Sequence, residues 1–596
     1  MAKEVDAAVC EGYDLYPDAP GVQQTTARSV KFPVDEIVCG LGQELTSEQK
    51  WLTSKLARAL VEVGWAMCVA QMGAGKTAVM AAAAQMLDLD VVYVGPPSVL
   101  TQTVAPTLSA YGVELLHAMS YESLSCMSQA DTALYGGGDP GGQRADDEYV
   151  CSHGVTAKGL LYRTDYRRTS DKDKRRHVRQ VFTPTTYGNM LFAPAQDGSS
   201  KRGVMLVLDE CQFIKNNGTI RYDAMVELVR LLYTNPASCV LYMSYTPFDS
   251  VEQIQTFCRI NQIIRPGLNF MPRSKRGECG LLQAATYFDW LATKMTRVEE
   301  EAPLLPTAPR KKIKIDVENT KQAHDVLLER FCQSARNTVL FGITRPHNPE
   351  LNHQYFCRYM PIRVAEQHTA LVEQYESLVH AVEQFETATS LAEQDLWLQT
   401  IGAAHKSMEY IKLTGAVIAD ALQQLQADPM CKVQIGISYV TDHVPILLKE
   451  LAAYNPVVVC SATSGLRDAG VNLSVRQRQR DIALFNENNS KCRVMIMGIR
   501  AGGVGISTHD QYGQYRRIMY MLPCRHYMAM VQFTGRSERF GTRSSVTLYC
   551  VLANGANNEL DLLRRIQARA DVQQRVVDST IGLTSCRIDD WPKLWS

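Results

Sequence analysis

Short apolar runs alternate with segments of helical spacing along the first half of the chain. The runs Trp65 to Val69, Val204 to Leu208 and Cys239 to Met243 are apolar at every position, which is typical of strands buried on both faces of a sheet. Parallel strands joined by helices give this alternation. Residues 41 to about 300 are therefore predicted to form a parallel sheet flanked by helices.

The second half of the chain repeats this pattern. Residues 319 to about 428 carry apolar residues at three- and four-residue spacing, which predicts a largely helical region. Strand-like runs then return at Val433 to Ile437, Val457 to Val459, Val494 to Met497, Ile518 to Met521 and Val546 to Tyr549. The predicted fold class is α/β, with two lobes of parallel sheet flanked by helices and a helical insertion between them.

Proline-rich and charged stretches mark the domain boundaries. The acidic stretch Glu299 to Glu301 and the prolines Pro303, Pro306 and Pro309 predict a stiff connector. The predicted domains are an N-terminal arm or accessory segment (1–40), a first lobe (41–300), the connector (301–318), the helical region (319–428), a second lobe (429–570) and a C-terminal tail (571–596).

An insertion is expected inside the first lobe, at about residues 126 to 181. It contains the glycine-rich turn cluster Gly136 to Gly142 and the basic stretch Arg163 to Arg179. A basic helix or loop of this kind can track the phosphates of a nucleic acid. Acidic residues are interspersed with the basic ones, so a solvated charged face is the alternative.

Charge and cysteine content limit the classes of function. The chain has 62 basic and 62 acidic residues and a net charge of zero, so any nucleic-acid binding must come from a local groove. Several of its 17 cysteines lie in strand-like runs, where a free thiol packs as a small apolar group; these are Cys68, Cys239, Cys460 and Cys550. No apolar run is long enough for a signal-peptide core or a membrane span. We therefore expect an intracellular protein of the nucleus or cytoplasm, or a viral one, with no membrane partner.

The run Trp65 to Val69 leads into a glycine turn with the chemistry of a phosphate site. The turn Ala70 to Thr77 reads AQMGAGKT and precedes a helix-forming run of Ala and Met. Backbone N–H groups at such a turn face phosphate oxygens, a lysine neutralises their charge, and a threonine hydroxyl ligates Mg²⁺. The candidate ligands of ATP and Mg²⁺ are Gly73, Ala74, Gly75, Lys76 and Thr77. An ordinary glycine-bearing turn is the alternative.

Two adjacent carboxylates, Asp209 and Glu210, follow the buried run Val204 to Leu208. An aspartate at the carboxyl end of such a strand can hold Mg²⁺, and the next glutamate can orient or deprotonate the attacking water. These roles are predicted for the two residues. A surface turn with two acids is the alternative.

The ordered motifs resemble those of superfamily 2 helicase-like ATPases, and in detail those of the Swi/Snf group of nucleic-acid translocases. The matching segments are Leu45 to Gln49, Ala70 to Thr77, Gly95 to Leu100, Asp209 to Asn216, Ser244 to Pro247, Arg476 to Asn486, Arg500 to Ile506 and Gln532 to Gly541. Ser507 to Asp510 instead resemble the strawberry-notch branch. The departures are Ala70, where the pattern has glycine, and Cys211 and Gln212, where the group has Ala-His.

The resemblance implies two RecA-like lobes that form a cleft for ATP. In the group, the positions that match Gln49, Gln532 and Gly505 contact the nucleotide. The positions that match nucleic-acid contacts are Pro97, Ser98, Thr186, Ser244, Thr246, Gly502 and Gly503. Thr186 belongs to the match Thr185 to Tyr187, for which Ser120 to Glu122 is an alternative. Helices of the 319–428 region would protrude from the lobes, as in the group, or else pack on the second lobe.

Two arginines of the segment Gln532 to Gly541 match the arginines that the group places on the cleft wall opposite the phosphate loop. Phosphoryl transfer spreads negative charge over the γ-phosphate oxygens, so a guanidinium that arrives on closure stabilises the transition state. The planar fork of donors suits this contact. Arg536 and Arg539 are therefore predicted to be catalytic, and an ordinary helix salt-bridge face is the alternative.

The predicted function is an ATP-dependent translocase or helicase, which uses ATP and Mg²⁺ to move along nucleic acid. DNA is favoured over RNA as the substrate. Transcription or replication machinery is an expected partner. The first alternative is an RNA helicase or a transcription-associated ATPase of the viral type, which Arg265 to Gly267 weakly resemble. The second alternative, from another class, is a binding scaffold with a decayed ATPase. The intact residues that argue against decay are Lys76, Asp209, Glu210, Arg536 and Arg539.

Overall fold

A computed structural model gives the fold of the chain. The described residues are 29–37, 39, 44–71, 73–96, 99–121, 123, 148–150, 156–158, 160–166, 179–192, 203–216, 219–248, 250, 252–264, 279–281, 283–288, 291, 320–335, 338–343, 351, 353–388, 390–460, 466, 474–499, 506–523, 527–539 and 541–553. The chain divides into two compact units, whose main boundary in sequence falls between residues 344 and 345. The predicted connector, the C-terminal tail and most of the N-terminal arm lie outside the described residues.

The first unit is built on a six-stranded parallel sheet. The strands of the whole unit, inside and outside this sheet, are β1 (Trp65–Cys68), β2 (Asp90–Val94), β3 (Leu115–Met119), β4 (Glu148–Val150), β5 (Thr156–Lys158), β6 (Leu161–Tyr166), β7 (Arg179–Pro184), β8 (Val204–Asp209), β9 (Cys239–Met243) and β10 (Leu340–Phe341). The sheet has the order β10-β1-β9-β8-β2-β3, and β4–β5 and β6–β7 are separate antiparallel pairs. β1, β8 and β9 are buried at every position, as their apolar runs predict.

Helices join and cover the strands of this unit. They are α1 (Ser47–Glu62), α2 (Lys76–Leu87), α3 (Ala105–Ala110), α4 (Thr186–Phe192), α5 (Ile220–Leu232), α6 (Glu252–Ile260) and α7 (Thr320–Ala335). α1 packs on β1 and on α2. The four alanines Ala81 to Ala84 of α2 are completely buried, because small side chains let this helix approach its neighbours closely.

The described parts of the predicted insertion include strand segments at both ends of the basic stretch. Tyr166 pairs with Arg179 and Leu161 with Pro184, so the two ends of the basic stretch belong to one antiparallel hairpin. β-branched and aromatic residues at Tyr162, Thr164 and Val181 favour this extended conformation. Residues 167–178 lie outside the described residues.

The second unit is built on another six-stranded parallel sheet. Its strands are β11 (Gln354–Met360), β12 (Cys431–Ile437), β13 (Val457–Val459), β14 (Val494–Gly498), β15 (Arg516–Met521) and β16 (Val546–Ala553), in the order β11-β16-β15-β12-β14-β13. Its helices are α8 (Ala365–Thr387), α9 (Leu391–Lys412), α10 (Ile418–Ala427), α11 (Val440–Glu450), α12 (Val475–Asn486) and α13 (Tyr527–Thr534). α8 and α9 form a helical hairpin with a small core of its own, which includes Leu371, Tyr375 and Ile401.

The predicted fold class is confirmed, since the chain contains two parallel sheets with helices, consistent with two RecA-like lobes. Two strands differ from the predicted boundaries. β10 lies beyond residue 300 and joins the first sheet, and β11 lies inside the predicted helical region and joins the second. Each is an edge strand that pairs with a strand distant in sequence, so its membership of the sheet cannot be predicted from a local sequence pattern. None of the described helices is long and apolar enough to cross a membrane.

Candidate functional site

The phosphate loop forms a tight turn between β1 and α2. Gly73 and Gly75 take the left-handed conformation, with φ of 81° and 87°, which residues with a Cβ rarely adopt. The N–H groups in the first turn of α2 have no acceptor within the helix and can bind phosphate oxygens. Lys76 Nζ donates to the Ala70 carbonyl oxygen at 3.0 Å. The ammonium group therefore lies over the turn that is predicted to hold phosphate.

Helix α1 brings Gln49 to this turn. Gln49 N donates to Thr46 Oγ1 at 3.3 Å and Thr46 N donates to Gln49 Oε1 at 3.1 Å, which closes a capping box. A Cβ built on Gly75 would lie 2.3 Å from Gln49 Nε2. The structure thus brings the predicted adenine contact and the phosphate loop together.

Replacement of Gly75 by alanine is expected to weaken nucleotide binding. The new Cβ would displace the Gln49 amide, and left-handed backbone costs alanine roughly 1 kcal/mol. Gly112→Ala is the matched control, because Gly112 has a φ of +64° and no described residue beyond its neighbours lies within 4 Å of its Cβ position. Thermal stability should fall similarly in both variants, whereas affinity for a fluorescent ATP analogue should fall only in Gly75→Ala. Equal affinities would contradict a role for the contact.

Asp209 lies at the carboxyl end of β8 and is 7% exposed. Its Oδ2 accepts a hydrogen bond from the Tyr93 hydroxyl at 2.7 Å, and its Oδ1 accepts one from Glu210 N at 3.0 Å. Burial and, after it, the charge of Glu210 raise the pKa of Asp209 to about 6, against the opposing effects of the Tyr93 hydrogen bond and the charge of Lys76. Asp209 and Lys76 are therefore close enough to interact electrostatically.

A chain of hydrogen bonds starts at Glu210. This residue has a left-handed backbone, with φ 56° and ψ 49°, a conformation that is rare for residues with a Cβ and common at functional sites. Its Oε2 accepts from Gln212 Nε2 at 2.6 Å, and Gln212 Oε1 accepts from the Ser244 hydroxyl at 2.6 Å. Thr246 N then donates to Ser244 Oγ at 3.0 Å. The chain connects the carboxylates to the segment after β9.

This arrangement changes the interpretation of three residues. Gln212, a departure from the Ala-His of the Swi/Snf group, is the residue that bridges the two segments. The sequence predicts that Ser244 and Thr246 contact nucleic acid, but both side chains are fully buried. The Ser244 hydroxyl belongs to the hydrogen-bond chain to Glu210, and Thr246 joins it through its backbone N–H.

The residues present fit a magnesium site. Mg²⁺ prefers carboxylate and other oxygen ligands and keeps several waters. Thr77 offers a hydroxyl in the first turn of α2. The pKa of Asp209 is raised by its burial and by the adjacent Glu210 charge, so a divalent cation would compensate charges that the protein leaves partly uncompensated.

In the second unit, the two predicted catalytic arginines converge on one carbonyl group. Arg536 Nη1 and Arg539 Nη2 donate to Ile506 O at 3.4 Å and 2.7 Å. Ile506 is the last residue of the segment Arg500 to Ile506, so the two predicted segments of this unit meet here. Gln532 lies in the last turn of α13, just before the arginines, and is 7% exposed.

A buried polar network supports the arginine segment. Gln434 on β12 donates from Nε2 to the Ser537 hydroxyl and accepts at Oε1 from the Thr508 hydroxyl at 3.1 Å. Thr508 N in turn donates to the Arg536 carbonyl oxygen at 3.1 Å. Sequence reasoning misses this network. The only signal for it is a single glutamine inside the apolar run Val433 to Ile437.

Some of the predicted nucleic-acid contacts can be placed. Thr186 is exposed in the first turn of α4. Tyr121, from the alternative match Ser120 to Glu122, is 2% exposed. The candidate residues that lie outside the described residues are Pro97, Ser98, Gly502, Gly503 and Gly505.

No family model matches the chain. A protein of Acanthamoeba polyphaga mimivirus, named as a candidate ATP-dependent RNA helicase, is 37% identical over 93 residues, which are 16% of this chain and 17% of that protein. The chain therefore matches less than a fifth of the length of this relative.

Two solved structures are similar at 14% sequence identity. The SWI2/SNF2 ATPase core of Sulfolobus solfataricus in complex with dsDNA covers 94% of this chain and 99% of its own, with a TM-score of 0.27. The C-terminal part of the Fun30 ATPase domain covers 38% of this chain and 92% of its own, with a TM-score of 0.25. The TM-scores are low, so the two-lobe fold rests on the strand order of the two sheets.

Proposed function

We propose that the protein is an ATP-dependent nucleic-acid translocase or helicase that couples Mg²⁺-dependent ATP hydrolysis to movement along DNA. The observation that carries this proposal is the adjacent pair Asp209 and Glu210: the buried Asp209 interacts electrostatically with Lys76, and the half-buried Glu210 is linked through Gln212 to Ser244. Paired carboxylates beside a phosphate loop suit metal-assisted attack of water on a γ-phosphate.

The candidate site residues of the first unit have separate roles in this proposal. Mg²⁺, held by Thr77 and Asp209, would neutralise phosphate charge when bound. Lys76 binds the β- and γ-phosphates, and Gln49 binds the adenine. Glu210 orients the attacking water, and its hydrogen bond to Gln212 keeps the carboxylate in place.

Arg536 and Arg539 supply positive charge to the transition state in this proposal. Both guanidinium groups bond to Ile506 O, next to the glycine motif that is predicted to contact nucleic acid. A shift of that motif on polymer binding would move both arginines. This connection gives a physical route by which polymer changes the rate of hydrolysis.

The polymer contacts would come from local surfaces of the lobes. The helical hairpin α8–α9 is a poor candidate, because its basic residues are only Lys406 and Lys412, both in the second half of α9, and its more numerous acidic residues repel phosphate. Thr186, Pro97, Ser98, Gly502 and Gly503 remain the proposed contacts. The partial match to the helicase-named viral protein keeps an RNA substrate as the second candidate, with transcription or replication machinery as the setting.

ATP turnover measured without polymer and with single-stranded DNA, duplex DNA or RNA, at matched salt, tests the proposal. We expect the largest stimulation with DNA. Glu210→Gln is the control variant, because it should bind ATP but not hydrolyse it, which ties the turnover to this site. Stimulation by RNA alone would favour the RNA helicase alternative. Absence of turnover under every condition would favour a binding scaffold.

A further inference from the structure

Tyr93 places its hydroxyl on the predicted magnesium carboxylate. The residue is fully buried on β2, and its Oη donates to Asp209 Oδ2 at 2.7 Å. β2 pairs with β8 so that Tyr93 lies opposite Val207, and the ring reaches along β8 to its carboxyl end. Because Asp209 Oδ1 accepts from Glu210 N, both oxygens of the carboxylate are fixed by the protein.

Gly95 leaves the space that this contact needs. A Cβ built on Gly95 would lie 2.6 Å from Tyr93 Oη and 2.7 Å from its Cζ, well inside contact distance. Gly95 is not among the glycines with a left-handed backbone. The tyrosine, and not the local conformation, therefore accounts for glycine at this position.

A second buried tyrosine of this unit, Tyr121, lacks such a contact. Tyr121 is 2% exposed and packs against Phe213, with ring centroids 5.7 Å apart. Its hydroxyl has no hydrogen-bond partner among the residues that the structure describes. Of the two hydroxyl groups, only that of Tyr93 donates a hydrogen bond to the Asp209 carboxylate.

We propose that Tyr93 is a positioning residue, which holds the Asp209 carboxylate in the orientation that binds Mg²⁺. The inference rests on the proposed ATPase function. Groups that hydrogen-bond to a metal ligand fix its rotamer, and their loss lowers metal affinity by roughly 10- to 100-fold. A tyrosine that served only the packing of the core would leave Mg²⁺ binding unchanged when its hydroxyl was removed.

Tyr93→Phe tests this role, because it removes the hydroxyl and keeps the ring. The half-saturating Mg²⁺ concentration should rise by about tenfold. It is measured both in the Mg²⁺-dependent binding of a fluorescent ATP analogue and in ATP turnover. Turnover at saturating Mg²⁺ should approach the wild-type value, since Glu210 and Lys76 are untouched. An unchanged Mg²⁺ requirement would overturn the proposal.

Tyr121→Phe is the matched control. It removes a buried tyrosine hydroxyl that does not bond to Asp209, so the Mg²⁺ requirement should stay at the wild-type level. Its melting temperature should stay the same or rise, because an unpaired buried hydroxyl is unfavourable. An equal rise in the Mg²⁺ requirement of both variants would show a general packing effect and would overturn the proposal.

Gly95→Ala tests the contact from the other side. Its Cβ would displace the Tyr93 hydroxyl, so it should raise the Mg²⁺ requirement as Tyr93→Phe does, and the double variant should be no worse than the single ones. Additive effects would contradict a shared cause. A wild-type protein without Mg²⁺-dependent binding or hydrolysis would refute the proposed function itself. A Mg²⁺-dependent wild type with an unaffected Tyr93→Phe would refute only this inference.

Discussion

Lys76→Ala is expected to reduce ATP turnover by roughly a hundredfold or more, which is the effect of removing one preorganised donor from a transition state. The Lys76 ammonium lies over the phosphate loop, where it bonds to the Ala70 carbonyl oxygen. It takes no part in the hydrophobic core of the unit. The variant should therefore keep the wild-type melting temperature. Turnover is measured at saturating polymer and Mg²⁺.

Lys50→Ala is the control for this variant. Lys50 lies next to Gln49 on α1 and forms an ion pair with Asp35 at 3.5 Å, with the aspartate side chain 83% exposed. An exposed pair of this kind contributes at most about 1 kcal/mol, and its loss should leave turnover unchanged. Wild-type turnover in Lys76→Ala would show that the glycine turn is not the site of hydrolysis.

Arg536→Ala is expected to lower polymer-stimulated turnover by about 10³-fold, the scale seen when an arginine that stabilises phosphoryl transfer is lost. Affinity for ATP should change far less, because the contact strengthens in the transition state. Lys substitution should not restore the rate, since an ammonium lacks the planar fork of donors. Turnover and nucleotide affinity are measured separately for each variant.

Arg543→Ala is the control for the arginine prediction. Arg543 is exposed two residues beyond the segment Gln532 to Gly541, and its backbone N–H bonds to the Asp510 carbonyl oxygen. Truncation of its side chain should leave turnover near the wild-type level. Because Arg536 is 1% exposed, the melting temperature of Arg536→Ala and Arg536→Lys must be compared with that of the wild type. Near-normal hydrolysis by a folded variant that lacks both Arg536 and Arg539 would refute the translocase proposal.

Local sequence patterns predicted the two sheets and their central strands. The runs at β1, β8 and β9 are apolar throughout, and the structure buries every residue in them. Turn chemistry was equally informative at the phosphate loop, where Gly73 and Gly75 take the left-handed backbone that glycine permits. These features depend on residues that are neighbours in sequence, so a pattern of a few positions is enough to reveal them.

The edge strands and the buried polar contacts were decided by the tertiary structure alone. β10 and β11 are strands only because they pair with β1 and β16. The sequence predicted nucleic-acid contacts at Ser244 and Thr246; the structure buries both side chains and bonds the Ser244 hydroxyl to Gln212. A run of two residues at β10 is too short to predict a strand. The composition of the segment after β9 does not predict that Ser244 is buried and bonded to Gln212.

The fold class and the candidate site residues follow from the sequence alone. The contacts between residues that are distant in sequence, such as Tyr93 with Asp209 and Gln434 with Ser537, depend on the tertiary structure. Such pairs are set by strand order and register, which follow from the packing of the whole sheet. A hydroxyl or amide on one strand meets its partner only after both strands have taken their places, so no local pattern can encode the pair.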